Sequence, residues 1–302
     1  MARHVPIAVV KSSAKLVKRY VLNPALPWEK QRERMDSALM AGRAPKSVVV
    51  TTDTIAGIPV EICTPASGAA PATLIHVHGG GFTVGSAATT RSWAAAISAA
   101  LKIRVISPDY SLAPEHQFPC SLDEVGGLVD QVIDSVGAEL VALSGDSAGG
   151  NLALVSTLRR AQSGAPMPAA LILISPWLDL TTDRLDDPAL VRRDPLLNPE
   201  WLAASAVAYA PGQLDNPMVS PLLGPLEGLP PVLVQGGTDD VLAPDAGRLV
   251  AAIESTTSVT YSVGAEMWHD FPLQVGLLAA ADSAFEVTTE FLTRNLALGP
   301  SV

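Results

Sequence analysis

ALSGDSAGGNLA, residues 142–153, joins the end of an apolar run, a glycine-rich turn and the start of a helical segment. Apolar residues that suit the end of a strand run directly into Gly145-Asp146-Ser147-Ala148-Gly149, and helix-forming residues follow at once. A G-x-S-x-G pentapeptide between a strand and a helix marks a sharp, strained turn, with small residues on both sides to avoid clashes with sheet and helix. Ser147 is then expected to point its hydroxyl at solvent, with a helix N-terminus behind it that favours negative charge. A glycine-rich turn with a helix-capping serine would carry the same letters. The strand before and the helix after are what give the pentapeptide its meaning.

Outward from this turn, short β-rich runs alternate with segments of helical composition, the pattern of a parallel sheet with helices on both faces. SVVVTTDT (47–54) and IPVEICTP (58–65) form an opening antiparallel pair joined through Ala56 and Gly57. ATLIHVH (72–78), IRVISP (103–108), ELVALSG (139–145), AALILISP (169–176), PVLVQGG (231–237) and SVTYSV (258–263) read as further strands, with helices over 89–101, 121–135 and 149–162. Their continuous apolar character suits strands buried on both faces. Between Trp177 and Leu229 the rhythm breaks into roughly 50 residues with helix patches, many prolines and no strand signal, a long excursion by loop-length priors and usually a functional one. Residues 1–45 are also strand-free and helix-prone.

The bulk numbers agree with one large α/β unit. Apolar residues are 48% of the 302 and charged residues 17%, ample for a core and without a disorder signature. A formal net charge of -10 argues against a nucleic-acid partner, since phosphate backbones are bound by clustered Lys and Arg. Cys63 and Cys120 follow no metal-ligand spacing and are expected to be buried, reduced and structural, with a Cys63–Cys120 bridge as the lesser alternative. The N-terminal segment has no secretory pattern and no apolar run is long enough to span a membrane, so the expected setting is cytoplasmic without membrane insertion. The basic, partly amphipathic stretch 5–20 could touch a membrane surface, but a helix packed on the protein's own surface is the simpler expectation.

A serine hydroxyl is a poor nucleophile at neutral pH and requires a base, almost always a histidine oriented by a carboxylate. Of His4, His76, His78, His116 and His269, only His269 follows Ser147, as this architecture requires, in the loop-like GAEMWHDFP. The carboxylate should follow the strand PVLVQGG, where Asp239, Asp240 and Asp245 are candidates; Asp245 reads as a first-turn helix residue, and spacing alone leaves Asp239 and Asp240 open. HVHGGGF, 76–82, places three glycines after an apolar run. Bare backbone N–H groups there could stabilise the oxyanion of a tetrahedral intermediate, together with the N–H of Ala148 after the serine. His76 and His78 are expected to fix the loop by hydrogen bonding rather than to act as bases.

HGGGF (78–82) with Gly85, DYSLAPEHQFP (109–119), GDSAGGN (145–151), SPWLDL (175–180), SPL (220–222), LPP (229–231) and HDF (269–271), in this order, resemble the bacterial hormone-sensitive-lipase family of esterases. The resemblance covers nearly the whole chain from about residue 45. It implies an α/β-hydrolase fold with an eight-stranded, mostly parallel sheet flanked by helices and a helical cap. In that division residues 1–45 are N-terminal cap helices, 46–179 and 226–302 the two parts of the core, and 180–225 the cap insertion. It further implies Gly80, Gly81 and Ala148 as oxyanion donors. The family's Asp-Pro-Leu motif has its best counterpart in Asp240-Val241-Leu242, which favours Asp240 over Asp239 although the proline is missing. Ser111 stands where relatives commonly have arginine, and Glu115 and His116 are expected in the structural core of that motif. The implied activity is a carboxylesterase acting on short- to medium-chain acyl esters through an acyl-serine, with Ser147, His269 and Asp240 as the triad and no metal or organic cofactor. An amidase with the same triad and a non-catalytic, receptor-like binder are the alternatives, and the retained His269 speaks against the second. Trp201 and Tyr209 are expected in the core rather than the pocket. A homodimer through the last strand is a further implication.

Overall fold

The computed structural model describes residues 4–39, 44–181, 185 and 187–296. Parts of the segments expected to form the cap, at 1–3, 40–43, 182–184 and 186, lie outside the described residues. Eight strands, β1 (Val48–Ile55), β2 (Ile58–Pro65), β3 (Thr73–Val77), β4 (Arg104–Pro108), β5 (Val141–Asp146), β6 (Ala170–Ile174), β7 (Val232–Gly237) and β8 (Val259–Gly264), form one sheet in the order β1-β2-β4-β3-β5-β6-β7-β8. The β1–β2 and β2–β4 pairs are antiparallel and the other pairs parallel. The expected hairpin forms at Ala56 and Gly57, whose φ values of 52° and 82° are the left-handed pair a tight two-residue turn needs.

Why these runs become central strands follows from which side chains they send to each face. Ile75 and Val77 of β3, Leu143 of β5, Leu171 and Leu173 of β6 and Val232 and Val234 of β7 enter one apolar cluster. That cluster is closed by the helices α4 (Cys120–Val136), α5 (Ser147–Ser163) and α8 (Ala243–Ile253). The alternate residues Leu74, Ala142, Ile172 and Leu233 enter a second cluster beneath α3 (Ala87–Leu101) and α9 (Ala279–Asn295). With both faces apolar, no polar side of the sheet is left to face water, hence the unbroken apolar runs. Each fully buried leucine here contributes about 1.5–3 kcal/mol relative to exposure.

Four more helices lie outside this layering: α1 (Ile7–Tyr20), α2 (Trp28–Leu39), α6 (Pro188–Arg193) and α7 (Pro199–Tyr209). Side chains from α1, α2 and α7 wall the cavity that contains Ser147. They are tied down by polar contacts. Arg32 of α2 donates to Thr83 O at 2.8 Å, to Ala113 O at 2.6 Å and to the Glu115 carboxylate. Trp201 Nε1 of α7 donates to Gln31 Oε1 of α2 at 2.8 Å. Among the described residues no helix is long and apolar enough to cross a membrane. The stretch at 5–20 packs as α1, turning Ala14 inward while Val9, Leu16 and Tyr20 stay exposed.

Three expectations change. Glu115 and His116 are exposed rather than in a structural core, because the 109–119 segment holds itself through Tyr110, Ala113 and the Ser111–Glu124 bonds, leaving Glu115 outside as the anchor for Arg32. Cys120 begins α4 and is only half-buried, with Sγ 3.7 Å from Glu124, while Cys63 is buried; both thiols are free. Burial raises the Cys63 thiol to about 12, beyond any role as a thiolate at neutral pH. Trp201 lines the cavity as well as the core, whereas Tyr209 is a core residue stacked on Phe82 at 3.9 Å.

Candidate active site

β5 ends at Asp146 and α5 begins at Ser147, with no connecting residue between them. The turn succeeds because Ser147 takes φ +52° and because its glycines leave room: a Cβ on Gly145 would strike the Gly149 carbonyl group, and one on Gly149 would strike the Val77 carbonyl. A left-handed non-glycine residue is strained and persists only where its surroundings enforce it. The hydroxyl does not face bulk solvent as the motif suggests. Ser147 is 4% exposed and opens into an internal cavity, because helices lie over the end of the sheet.

Opposite this turn, the glycine loop after β3 is clamped by the residue before the serine. Gly79 N donates to Asp146 Oδ2 at 2.8 Å, and a Cβ on Gly79 would occupy the place of that oxygen. Gly80 and Gly81 take φ +117° and +58°, and a side chain on Gly81 would meet Trp201 Cη2 at 2.6 Å. His78 Nδ1 donates to Gly79 O at 2.7 Å and its ring stacks on Tyr110, whose hydroxyl donates to His78 O at 2.8 Å. His76 binds Ser144 Oγ through Nδ1 at 2.9 Å. Both histidines therefore brace the loop from the buried side. Among the described residues the N–H groups of Gly80, Gly81 and Ala148 donate to no protein acceptor, a set of free donors beside Ser147.

The three aspartates after β7 part company in space. Asp240 is fully buried, and its Oδ1 and Oδ2 lie 3.0 and 3.1 Å from His269 Nδ1. Leu242 N donates to Asp240 Oδ1 at 2.8 Å. Asp239 turns the other way, pairing with Arg193 of α6 at 3.1 Å and Lys11 of α1 at 3.6 Å. Asp245 sits in the first turn of α8 and accepts from Leu178 N and Asp179 N; burial pushes its carboxyl up to about 6. The loop bearing His269 reaches Asp240 because Gly237 lets Met267 press against the end of β7.

Residues that the sequence reading did not single out complete the surroundings. Asp194, after α6, accepts from Leu196 N, Leu197 N and Val241 N, and burial with the charge of Asp240 raises its carboxyl. Asp270 stands on the open edge of the imidazole, its Oδ2 3.2 Å from His269 Nε2, so that Nε2 faces this carboxylate and is not hydrogen-bonded to Ser147. Burial works against the charged ring, yet Asp240 and Asp270 together carry the His269 pKa well above its ordinary value. Asp146 and Asp270 could have been suspected from their places beside Ser147 and His269; nothing local marks Asp194.

Ser147, Gly79, Gly80, Gly81, His269 and Asp270 all border one cavity of about 380 Å³. The rest of its wall is mainly apolar, with Val10, Ala14 and Val17 of α1, Met35 of α2, Leu197 and Trp201 among its residues. A wider, more open hollow of about 480 Å³ between α3 and α9, lined by Leu101, Thr293 and Arg294 among others, is remote from this chemistry. A buried serine, a carboxylate-bound histidine and unpaired N–H donors around an apolar chamber can together attack, protonate and stabilise an acyl carbonyl.

Known proteins place the architecture in a family. Residues 74–273 match the family described as having the α/β-hydrolase fold. The provisionally named acetyl-hydrolase LipR of Mycobacterium tuberculosis is 39% identical over 254 residues, covering 82% of each chain. An esterase of Acinetobacter venetianus is 34% identical over 76% of this chain and 77% of its own. In three dimensions, the crystal structure of an esterase from the bacterial hormone-sensitive-lipase family superposes with a TM-score of 0.89 at 26% identity, over 98% of this chain and all of that one. With sheet order, serine turn and glycine loop in common reach, the chain belongs to the α/β-hydrolase family, on its hormone-sensitive-lipase branch.

Proposed function

We propose that this protein is a serine carboxylesterase acting on small-molecule acyl esters. The observation that carries the reading is His269, held at 3.0 Å by the buried Asp240 behind it, on the same cavity as Ser147 and the free N–H groups of the glycine loop. Ser147 Oγ attacks the ester carbonyl while His269 Nε2 accepts its proton, and Asp240 holds the ring through Nδ1 and offsets the imidazolium charge. The carbonyl oxygen becomes an oxyanion received by the N–H groups of Gly80, Gly81 and Ala148. His269 then gives the proton to the leaving alcohol, and water, activated in the same way, releases the acid from the acyl-serine. Hydrolysis of p-nitrophenyl butyrate by the purified protein should disappear in Ser147→Ala, down to at most about 10⁻³ of the original rate. Ser147→Ala retaining full turnover would remove the basis of the reading.

In this reading residues 1–45 and 180–225 form a cap over the core parts 46–179 and 226–302, which α1, α2 and α7 support by walling the cavity. The chamber's small volume favours short- to medium-chain acyl groups. Trp201, held by Gln31 and pressed on Gly81, narrows the room for the chain where it leaves the oxyanion donors, as a side stop. Trp201→Ala should therefore move the preferred p-nitrophenyl ester toward longer acyl chains, at a stability loss of about 3–5 kcal/mol. An unchanged chain-length profile in the folded variant would place the stop elsewhere. A homodimer would use the edge strand β8, where Tyr261 and Val263 are exposed. The free thiols of Cys63 and Cys120 suit a reducing, cytoplasmic setting.

A further inference from the structure

Asp270 is held where it is by the backbone. It takes φ +56°, an αL conformation uncommon for a residue with a side chain, and its N–H donates to Ser175 Oγ at 3.1 Å; Ser175 is itself at φ +43°. The side chain is 18% exposed. Oδ1 is buried with no hydrogen-bond partner, and Oδ2 faces His269 Nε2 at 3.2 Å. Since Nδ1 is engaged by Asp240, Nε2 is the only ring atom that could take the Ser147 proton. A carboxylate oxygen and a bare ring nitrogen, both lone-pair bearing, repel at that distance. A proton on one of the two groups removes that repulsion.

We propose that Asp270 is a positioning residue whose carboxylate, set against His269 Nε2, keeps that nitrogen protonated, so that esterase turnover begins only at pH values where the pair releases its proton. The inference rests on the reading of His269 as the general base. While the proton is held, Nε2 cannot accept from Ser147. When it leaves to solvent, carboxylate and nitrogen repel, the contact opens, and Nε2 is free to turn to the hydroxyl.

The carboxylates facing the pair favour holding the proton. Asp240 follows β7, Asp146 ends β5 with His76 and His78 behind it, and Asp194 comes from the segment after α6. The cations on the overlying helices, Lys11 and Arg193, are engaged by Asp239, and Lys18 donates to the Asp194 carbonyl. Burial pushes the Asp270 carboxyl up to about 7, against the pull of His269 and with Asp146 and Asp240 adding to the rise. Removing Asp270 takes away one carboxylate that stabilises the protonated ring, so the ring should release its proton at lower pH.

The test compares pH profiles of kcat/KM on p-nitrophenyl butyrate for the full chain, Asp270→Gly and Asp270→Asn. Glycine suits φ +56° and so keeps the turn, and asparagine keeps the size without the charge. The acid limb should fall by about one pH unit or more in both variants, equal to about a tenfold gain relative to plateau below the original limb. In parallel, NMR titration of ¹⁵N-histidine-labelled protein, with the signal assigned by His269→Gln, should show the ring midpoint falling in Asp270→Gly. A limb or a ring midpoint that does not move overturns the proposal. Absence of any Ser147-dependent hydrolysis would instead sink the esterase reading, and the ring titration would still decide the role of Asp270.

Discussion

Asp240→Asn is expected to lower kcat on p-nitrophenyl butyrate by about 10⁴-fold, the scale on which loss of the orienting carboxylate acts in a serine triad. The neutral amide would offer Nδ1 a donor as readily as an acceptor, allowing the wrong tautomer, and would leave the imidazolium formed during turnover without its buried counter-charge. Asp239→Asn is the matched control. Its side chain meets Arg193 and Lys11 rather than the ring, and such partly exposed ion pairs contribute about 1 kcal/mol or less, so turnover should stay within a few-fold. A large loss in Asp239→Asn with little change in Asp240→Asn would reverse the assignment. Unfolding midpoints in urea should accompany both, because burying an amide beside Leu242 N alters that hydrogen bond as well.

The second large effect concerns stability. Gly149→Ala would place a methyl group on the Val77 carbonyl, where neighbouring atoms are backbone of β3 and cannot swing aside. The turn at Ser147 would have to open or α5 shift on the sheet, and a loss of about 4 kcal/mol or more is expected. Gly247 in α8 provides the contrast, since a Cβ there meets nothing within 4 Å. Gly247→Ala should raise stability by about 0.5–1 kcal/mol through helix propensity. Urea unfolding of the two variants measures both. If Gly149→Ala unfolds at the same midpoint as the parent protein, close approach is not what the pentapeptide's final glycine supplies.

Much of this could be read along the chain because the causes are local. Ala56-Gly57 makes a hairpin turn from its own backbone preferences, and the buried strands announce themselves because both faces of the sheet demand apolar residues. The serine turn was legible because it needs glycines at fixed offsets, and His269 because chain order leaves one histidine after the serine. Where the reading went astray, the reason is distance in sequence. Glu115 lies outside because its partner is Arg32, 83 residues away, and Trp201 borders the cavity because Gln31, 170 residues earlier, fixes its indole.

Readable along the chain alone were a mostly parallel α/β sheet, the strand-to-helix turn at Ser147, the bare glycine loop at 79–81 and His269 as the one histidine after that serine. Each depends on steric limits and periodicities that act within a few residues. Three-dimensional packing alone separates Asp240 from Asp239 at the imidazole, opens Ser147 into a helix-walled cavity and stands Asp270 against Nε2. Those outcomes depend on where whole elements dock. The adjacent aspartates separate because one side chain turns inward beneath the His269 loop while the other turns to the cations of α1 and α6.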